Sequence, residues 1–91
     1  MSDRIVITVI GNDRPGIVAN VSAKLSESEI NIIDITQKVF EDKVFAMIMF
    51  VESKEEKNIK ALQEEFKSLE DELGVRIFLQ HENIFKTMHR I

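Results

Sequence analysis

Ninety-one residues, 44% of them apolar and 31% charged, describe one small globular domain with a formal net charge of −4. The acidic balance argues against nucleic acid or an anionic membrane as main partner. The absence of cysteine excludes disulfides, thiol catalysis, iron–sulfur clusters and cysteine-based zinc sites. No apolar run approaches the ~20 residues of a membrane span and no basic-then-apolar leader opens the chain, so a cytoplasmic domain is expected.

The β-branched run Ile5-Val6-Ile7-Thr8-Val9-Ile10 is too short for a helix and stops at Gly11, which predicts a strand, central because both faces are apolar. Asn12-Asp13-Arg14-Pro15-Gly16 then breaks the chain. Pro15 suits a first helical turn, with Asp13 or Asn12 as its cap. Ile17, Val18, Val21 and Leu25 form one helical stripe that fades near Ser28-Glu29. A second strand is predicted over 32–40, with Ile33, Ile35 and Val39 on one face and Asp34, Thr36 and Lys38 on the other. Glu41-Asp42-Lys43 has hairpin length, and a third strand follows over 44–51.

Ser53 with Glu56 three residues on reads as a capping box. Ile59, Leu62, Phe66, Leu69 and Leu73 step by three and four, the pattern of a second helix that ends at Gly74. A fourth strand over 75–80 precedes a tail in which Ile84, Phe85, Met88 and Ile91 recur at helical spacing. The order is βαββαβ, with each helix placed to cross over onto one face of a four-stranded antiparallel sheet. This is the ferredoxin-like α+β plan, a domain over 1–82 with a tail over 83–91 that packs on the domain or on a partner subunit.

That plan hosts unrelated functions, so function has to come from a site. The sheet aromatics Phe40, Phe45, Phe50 and Phe78 sit in an acidic chain, which disfavours RNA binding. Copper carriage would need paired cysteines. An acyl-phosphate hydrolase would want a glycine-rich anion loop, whereas Arg14 has only Gly16 beside it in that loop. His81 and His89 lack metal-ligand spacing, and Glu64, Glu65, Glu70, Asp71 and Glu72 read as a solvated helix face. Asn20-Val21-Ser22 matches a glycosylation sequon but falls inside a helix. No catalytic residues, cofactor or metal are expected.

What remains is the corner Asn12 to Val18. A strand end, a tight turn and a helix start gather free backbone N–H groups, which favour a carboxylate or phosphate, and Gly16 permits close approach. A purely structural turn fits the same residues. Asn31-Ile32-Ile33-Asp34 is the second suggestive stretch. Gly16 and Glu29 bracket a helix of roughly 20 Å, so one small ligand cannot touch both of its ends in one chain. A two-fold dimer with antiparallel first helices would bring the corner of one copy beside Asn31 of the other. Pairing of the second strands, expected at a sheet edge, would also close that edge. Backbone amides near Gly16 would then hold a carboxylate while Asn31 or Asp34 receives an ammonium.

The run Asp13-Arg14-Pro15-Gly16-Ile17-Val18-Ala19, with Leu25 and then Ile30-Asn31-Ile32-Ile33-Asp34, resembles the ACT-domain pattern. The chain is similar in particular to free-standing single-ACT proteins of bacteria and archaea, and to the N-terminal ACT segments of formyltetrahydrofolate deformylase and glycine-cleavage regulators. The resemblance implies a non-enzymatic regulatory module that binds a small amino acid or related metabolite at the interface of a homodimer or higher oligomer. Its ligand-contacting positions fall on Asn12, Asp13, Gly16, Ile17, Val18, Asn31 and Ile32, to which the corner and strand argument adds Arg14 and Asp34. The alternative is an interaction module that regulates a metabolic enzyme without a ligand.

In the third strand Phe45, Met47, Met49 and Val51 alternate with Val44, Ala46, Ile48 and Phe50, so the sheet face away from the helices is also apolar. Left bare, it would exceed the apolar patches of ordinary monomers. The tail residues Ile84, Phe85, Met88 and Ile91 are expected to cover it, within the chain or from a partner. The rival expectation is a docking face for another protein.

Overall fold

The computed structural model describes residues 3–83. Strand β1 spans Asp3–Asn12, helix α1 Ile17–Glu27, strands β2 and β3 Ile30–Val39 and Val44–Ser53, helix α2 Ile59–Leu73 and strand β4 Val75–His81. The sheet order is β2-β3-β1-β4 and every neighbouring pair is antiparallel. The apolar-on-both-faces strands β1 and β3 are therefore central, and β2 and β4 form the edges.

Register separates the two sheet faces. Ile5, Ile7 and Val9 lie in one layer with Met47, Met49, Val51, Ile77 and Leu79, all buried. Helix α1 closes this layer with Ile17, Val21 and Leu25, and α2 with Leu62, Phe66, Leu69 and Leu73. Burial of such side chains contributes roughly 1.5–3 kcal/mol each, which holds both helices on this one face. The opposite face carries Val6, Thr8, Ile10, Ala46, Ile48, Phe50 and Phe78; Ile10 is 43% and Phe78 46% exposed.

The structure corrects several local expectations. Ser53 and Glu56 do not cap α2: Ser53 is the buried last residue of β3, its Oγ accepting from the Glu55 N–H at 3.3 Å. The cap is Asn58, whose Oδ1 accepts from the Ala61 N–H at 3.0 Å. Likewise neither Asn12 nor Asp13 caps α1, and Pro15 precedes the first turn; the N-cap is Gly16, left-handed at φ 90°, with no side-chain hydrogen bond to the helix start. Strand β2 begins at Ile30 and ends at Val39, two residues earlier and one residue earlier than its predicted bounds of 32 and 40. A register shift between Ile32 and Asp34 leaves Ile33 unpaired, so the predicted common face of Ile33, Ile35 and Val39 is interrupted there. The predicted tail helix lies outside the described residues.

Candidate functional site

The corner forms where β1 runs out and the chain turns up into α1. Gly11 lets β1 and β4 converge: a Cβ there would lie 2.7 Å from Val75 Cγ1 and 2.9 Å from Val75 Cα. The turn is fixed from three sides. Asp13 donates its N–H to the Lys43 carbonyl at 2.8 Å, tying the turn to the β2–β3 hairpin. Arg14 Nη1 reaches the carbonyls of Glu72 and Leu73 at 3.4 and 3.3 Å, tying it to the end of α2, where a cation is favoured by the helix dipole. Asn20 Nδ2 donates to the Gly16 carbonyl at 2.6 Å, backing the turn from inside the helix.

These contacts leave the mouth open. The N–H groups of Ile17, Val18 and Ala19 precede the first intrahelical bond, which runs from the Asn20 N–H to the Gly16 carbonyl at 2.9 Å. Among the described residues no side chain caps them. With the Gly16 Cβ missing and its residue exposed, three amides converge on solvent at the positive end of α1. Ile17 faces the core at 2% exposure, so only its backbone is presented, and Val18 is packed partly against the core. Asn12, Asp13 and Arg14 are exposed around the rim.

Asn31, Ile32 and Asp34 are elsewhere. Asn12 pairs with Val44 of β3, whereas Asn31 pairs with Glu52 of the same strand. At ~3.4 Å per residue the two lie some 27 Å apart along the sheet. Asn31 is exposed, Ile32 packs partly against the core, and Asp34 Oδ1 accepts from the Ile35 N–H at 2.9 Å. One chain thus gathers Asn12 to Val18 at one end and leaves Asn31, Ile32 and Asp34 at the other.

The two edges of the sheet differ. On β4 the outward-pointing groups are taken by α2: Gln63 Nε2 donates to the Ile77 carbonyl at 2.6 Å, Gln63 Oε1 accepts from the Leu79 N–H at 3.1 Å, and Glu70 Oε2 accepts from the Ile77 N–H at 2.7 Å. On β2 the hairpin bond from the Phe40 N–H to the Val44 carbonyl at 2.9 Å sets the alternation, which turns the main chain of Ile35, Gln37 and Val39 outward. Of these the Ile35 N–H is met by Asp34. The helix-side neighbours Ile35 and Val39 remain 37% and 51% exposed. Asn20, Lys43, Gln63 and Glu70 were not singled out as site or edge residues from sequence; their roles depend on which backbone groups the fold leaves unpaired.

Among the described residues no group of three His, Cys, Asp or Glu side chains could hold a metal ion, and no helix is long and apolar enough to cross a membrane. The architecture and its corner define a small ferredoxin-like α+β domain, open at the β1–α1 turn.

The chain belongs to the ACT-domain family, whose profile matches residues 3–80. It is 48% identical over 89 residues to a UPF0237 protein of Methanocaldococcus jannaschii, covering 97% of this chain and 98% of that one. Among solved structures it is similar to an ACT domain protein from Streptococcus pneumoniae, with 39% identity, a TM-score of 0.83 and coverage of 92% and 94% of the two chains. It is also similar to the regulatory subunit of aspartate kinase from Thermus thermophilus, with 30% identity and a TM-score of 0.67, covering 86% of this chain and 50% of that one.

Proposed function

We infer that this ACT-domain protein is a non-enzymatic regulatory module whose homodimer binds a small amino acid or a closely related metabolite between its subunits. The observation that carries this reading is the uncapped start of α1, where the amides of Ile17, Val18 and Ala19 face solvent beside a glycine. A ligand carboxylate satisfies those groups and the helix dipole together. An α-amino acid also carries an ammonium, and Asn31, the acceptor assigned to it, lies ~27 Å from the corner within one chain.

A second copy supplies it. The open β2 edge is the available pairing surface, because the β4 edge is occupied by Gln63 and Glu70. Antiparallel pairing about a two-fold at Gln37 sets Ile35 against Val39 of the second copy and covers both. Asn31 of the second copy then falls beside the Glu41–Lys43 hairpin, whose Lys43 carbonyl receives the Asp13 N–H. Asn31 and the second oxygen of Asp34 become the ammonium acceptors. Ligand binding and dimerisation reinforce one another, since each completes the site of the other.

Titration calorimetry of the full chain against single amino acids tests this. A saturable signal is expected, lost in Gly16→Leu and weakened in Asn31→Ala, with circular dichroism confirming that both variants fold. No heat across the panel overturns ligand binding. The second reading, a ligand-free module that regulates a metabolic enzyme, draws on the likeness to the aspartate kinase regulatory subunit and on the exposed Ile10 and Phe78. It predicts silence in calorimetry and a partner lost on Phe78→Glu.

A further inference from the structure

The two helices are pinned at their starts in opposite ways. In α2 the pin is on the donor side: Asn58 Oδ1 accepts from the Ala61 N–H at 3.0 Å, which occupies an amide of the first turn. In α1, among the described residues, no side chain accepts from the first turn. The pin lies on the acceptor side instead. The Gly16 carbonyl receives two bonds from a single residue, one from the main-chain N–H of Asn20 at 2.9 Å and one from its Nδ2 at 2.6 Å.

The Gly16 carbonyl and the Ile17 N–H belong to one planar peptide unit and point to opposite sides of it. Holding the oxygen towards Asn20 therefore holds the N–H towards the mouth. A carbonyl that accepts twice also polarises its peptide, which makes the N–H a stronger donor. An ordinary N-cap would close the turn too, but its oxygen would take the Val18 or Ala19 N–H, as Asn58 takes that of Ala61. The packing around Gly16 agrees: a Cβ there would lie 3.1 Å from Asn20 Nδ2, so the carboxamide closes over the side that a Cβ would fill. Asn20 itself is exposed, and the buried residues of α1 are Ile17, Val21 and Leu25, so this side chain has no part in the core.

We propose that Asn20 is a positioning residue of the α1 corner: a clamp on the acceptor side that closes the first turn in place of an N-cap and leaves the amides of Ile17, Val18 and Ala19 aimed and unoccupied for a carboxylate. It holds the Gly16 carbonyl and acts on a ligand through that peptide. The inference rests on the amino-acid reading above. It also gives Gly16→Leu a second way to lose binding, because a side chain at 16 displaces Asn20 as well as the ligand.

Asn20→Thr and Asn20→Val test the clamp as a pair, since the two side chains share shape and β-branching and differ in one donor. The Thr hydroxyl can reach the carbonyl four residues back in a helix, and Val has nothing to offer it. In the ligand-free chain, hydrogen exchange at the amide of residue 20 reads opening of the first turn. Exchange close to the parent is expected for Asn20→Thr and about five-fold faster exchange for Asn20→Val, the worth of one hydrogen bond of ordinary net strength. Calorimetry with the common amino acids, one at a time, should rank affinity in the same order, with Asn20→Val weaker by up to about five-fold and helicity unchanged. Equal exchange in the two variants overturns the clamp. Exchange that separates them while amino-acid affinity does not overturns the positioning role and leaves a purely structural bond. Silence in calorimetry from the parent chain overturns the amino-acid reading and the positioning role with it, and is told apart from failure of the clamp because exchange still separates Thr from Val.

Discussion

The N–H of Asp13 and the carbonyl of Lys43, 2.8 Å apart, join the turn before α1 to the hairpin that ends the β2 edge. The hydrogen bond depends on an unusual backbone: Lys43 is left-handed at φ 64°. It closes the hairpin by donating its N–H to the Phe40 carbonyl at 2.9 Å while its own carbonyl turns to Asp13. A β-carbon in this region costs ~1–2 kcal/mol, so Lys43→Gly should raise stability by about 1 kcal/mol in urea unfolding. Lys43→Val, β-branched at the same φ, should lower it, and a reversed order of the two variants would contradict the role assigned to this turn.

Gly11 is a different case, since its constraint is space and not φ. Its Cβ would meet Val75 Cα at 2.9 Å and the Gly74 carbonyl at 3.0 Å, and backbone atoms cannot swing aside as a side-chain tip can. Gly11→Ala must push β4 away from β1 just where α2 hands over to β4. A loss of roughly 1–3 kcal/mol is expected, the range for overpacked sites. Hydrogen exchange should show faster opening at Val75 to Ile77 in particular.

Gln63 and Glu70 act as a pair on the β4 edge. Glu70→Ala strands the Ile77 N–H, and an unmet part-buried donor costs about 1–3 kcal/mol. Gln63→Leu removes partners of both the Ile77 carbonyl and the Leu79 N–H. The double variant bares a strand edge, so it should self-associate at concentrations where either single variant does not. Sedimentation velocity reads this directly. A double variant that sediments like the parent chain would remove the protective role.

The elements and their order were legible because each carries one clear period: the step of three and four in α2, the β-branched run in β1 and Gly74 at φ 68°. Caps were less legible. Ser53 with Glu56 fits a capping box on paper, and only the extension of β3 to Ser53 shows that the helix starts later, behind Asn58. The start of α1 was misread for a related reason. Asn12 belongs to β1 and Asp13 is held in the turn by its N–H on Lys43, so the residue that precedes the helix start is Gly16, which has no side chain to cap with. That same misreading bears on the corner, because a helix without a side-chain cap is the one that keeps its amides available. Sheet-edge chemistry was invisible, since Glu70 read as part of a solvated face and nothing marked Gln63 until the register of β4 is known.

The β2 edge can be tested without touching the core. Gln37 is exposed, and the hairpin alternation turns its N–H away from β3, so Gln37→Pro removes a donor that makes no bond within its own sheet. Proline is tolerated on such an outward-facing edge position, and the preceding Thr36 is already extended. The fold should therefore survive, with circular dichroism close to that of the parent. Pairing of two β2 strands about Gln37 places this N–H in the inter-subunit ladder, where a proline also obstructs its two-fold mate. Light scattering should then report a dimer for the parent chain and a monomer for Gln37→Pro, at concentrations where the parent is fully associated. The ligand signal should fall with the dimer, because the monomer keeps the α1 amides but has no Asn31 within reach of them. A variant that remains dimeric would place the subunit contact on another surface, and a monomer that still binds amino acids with parental affinity would locate the ammonium acceptor within one chain.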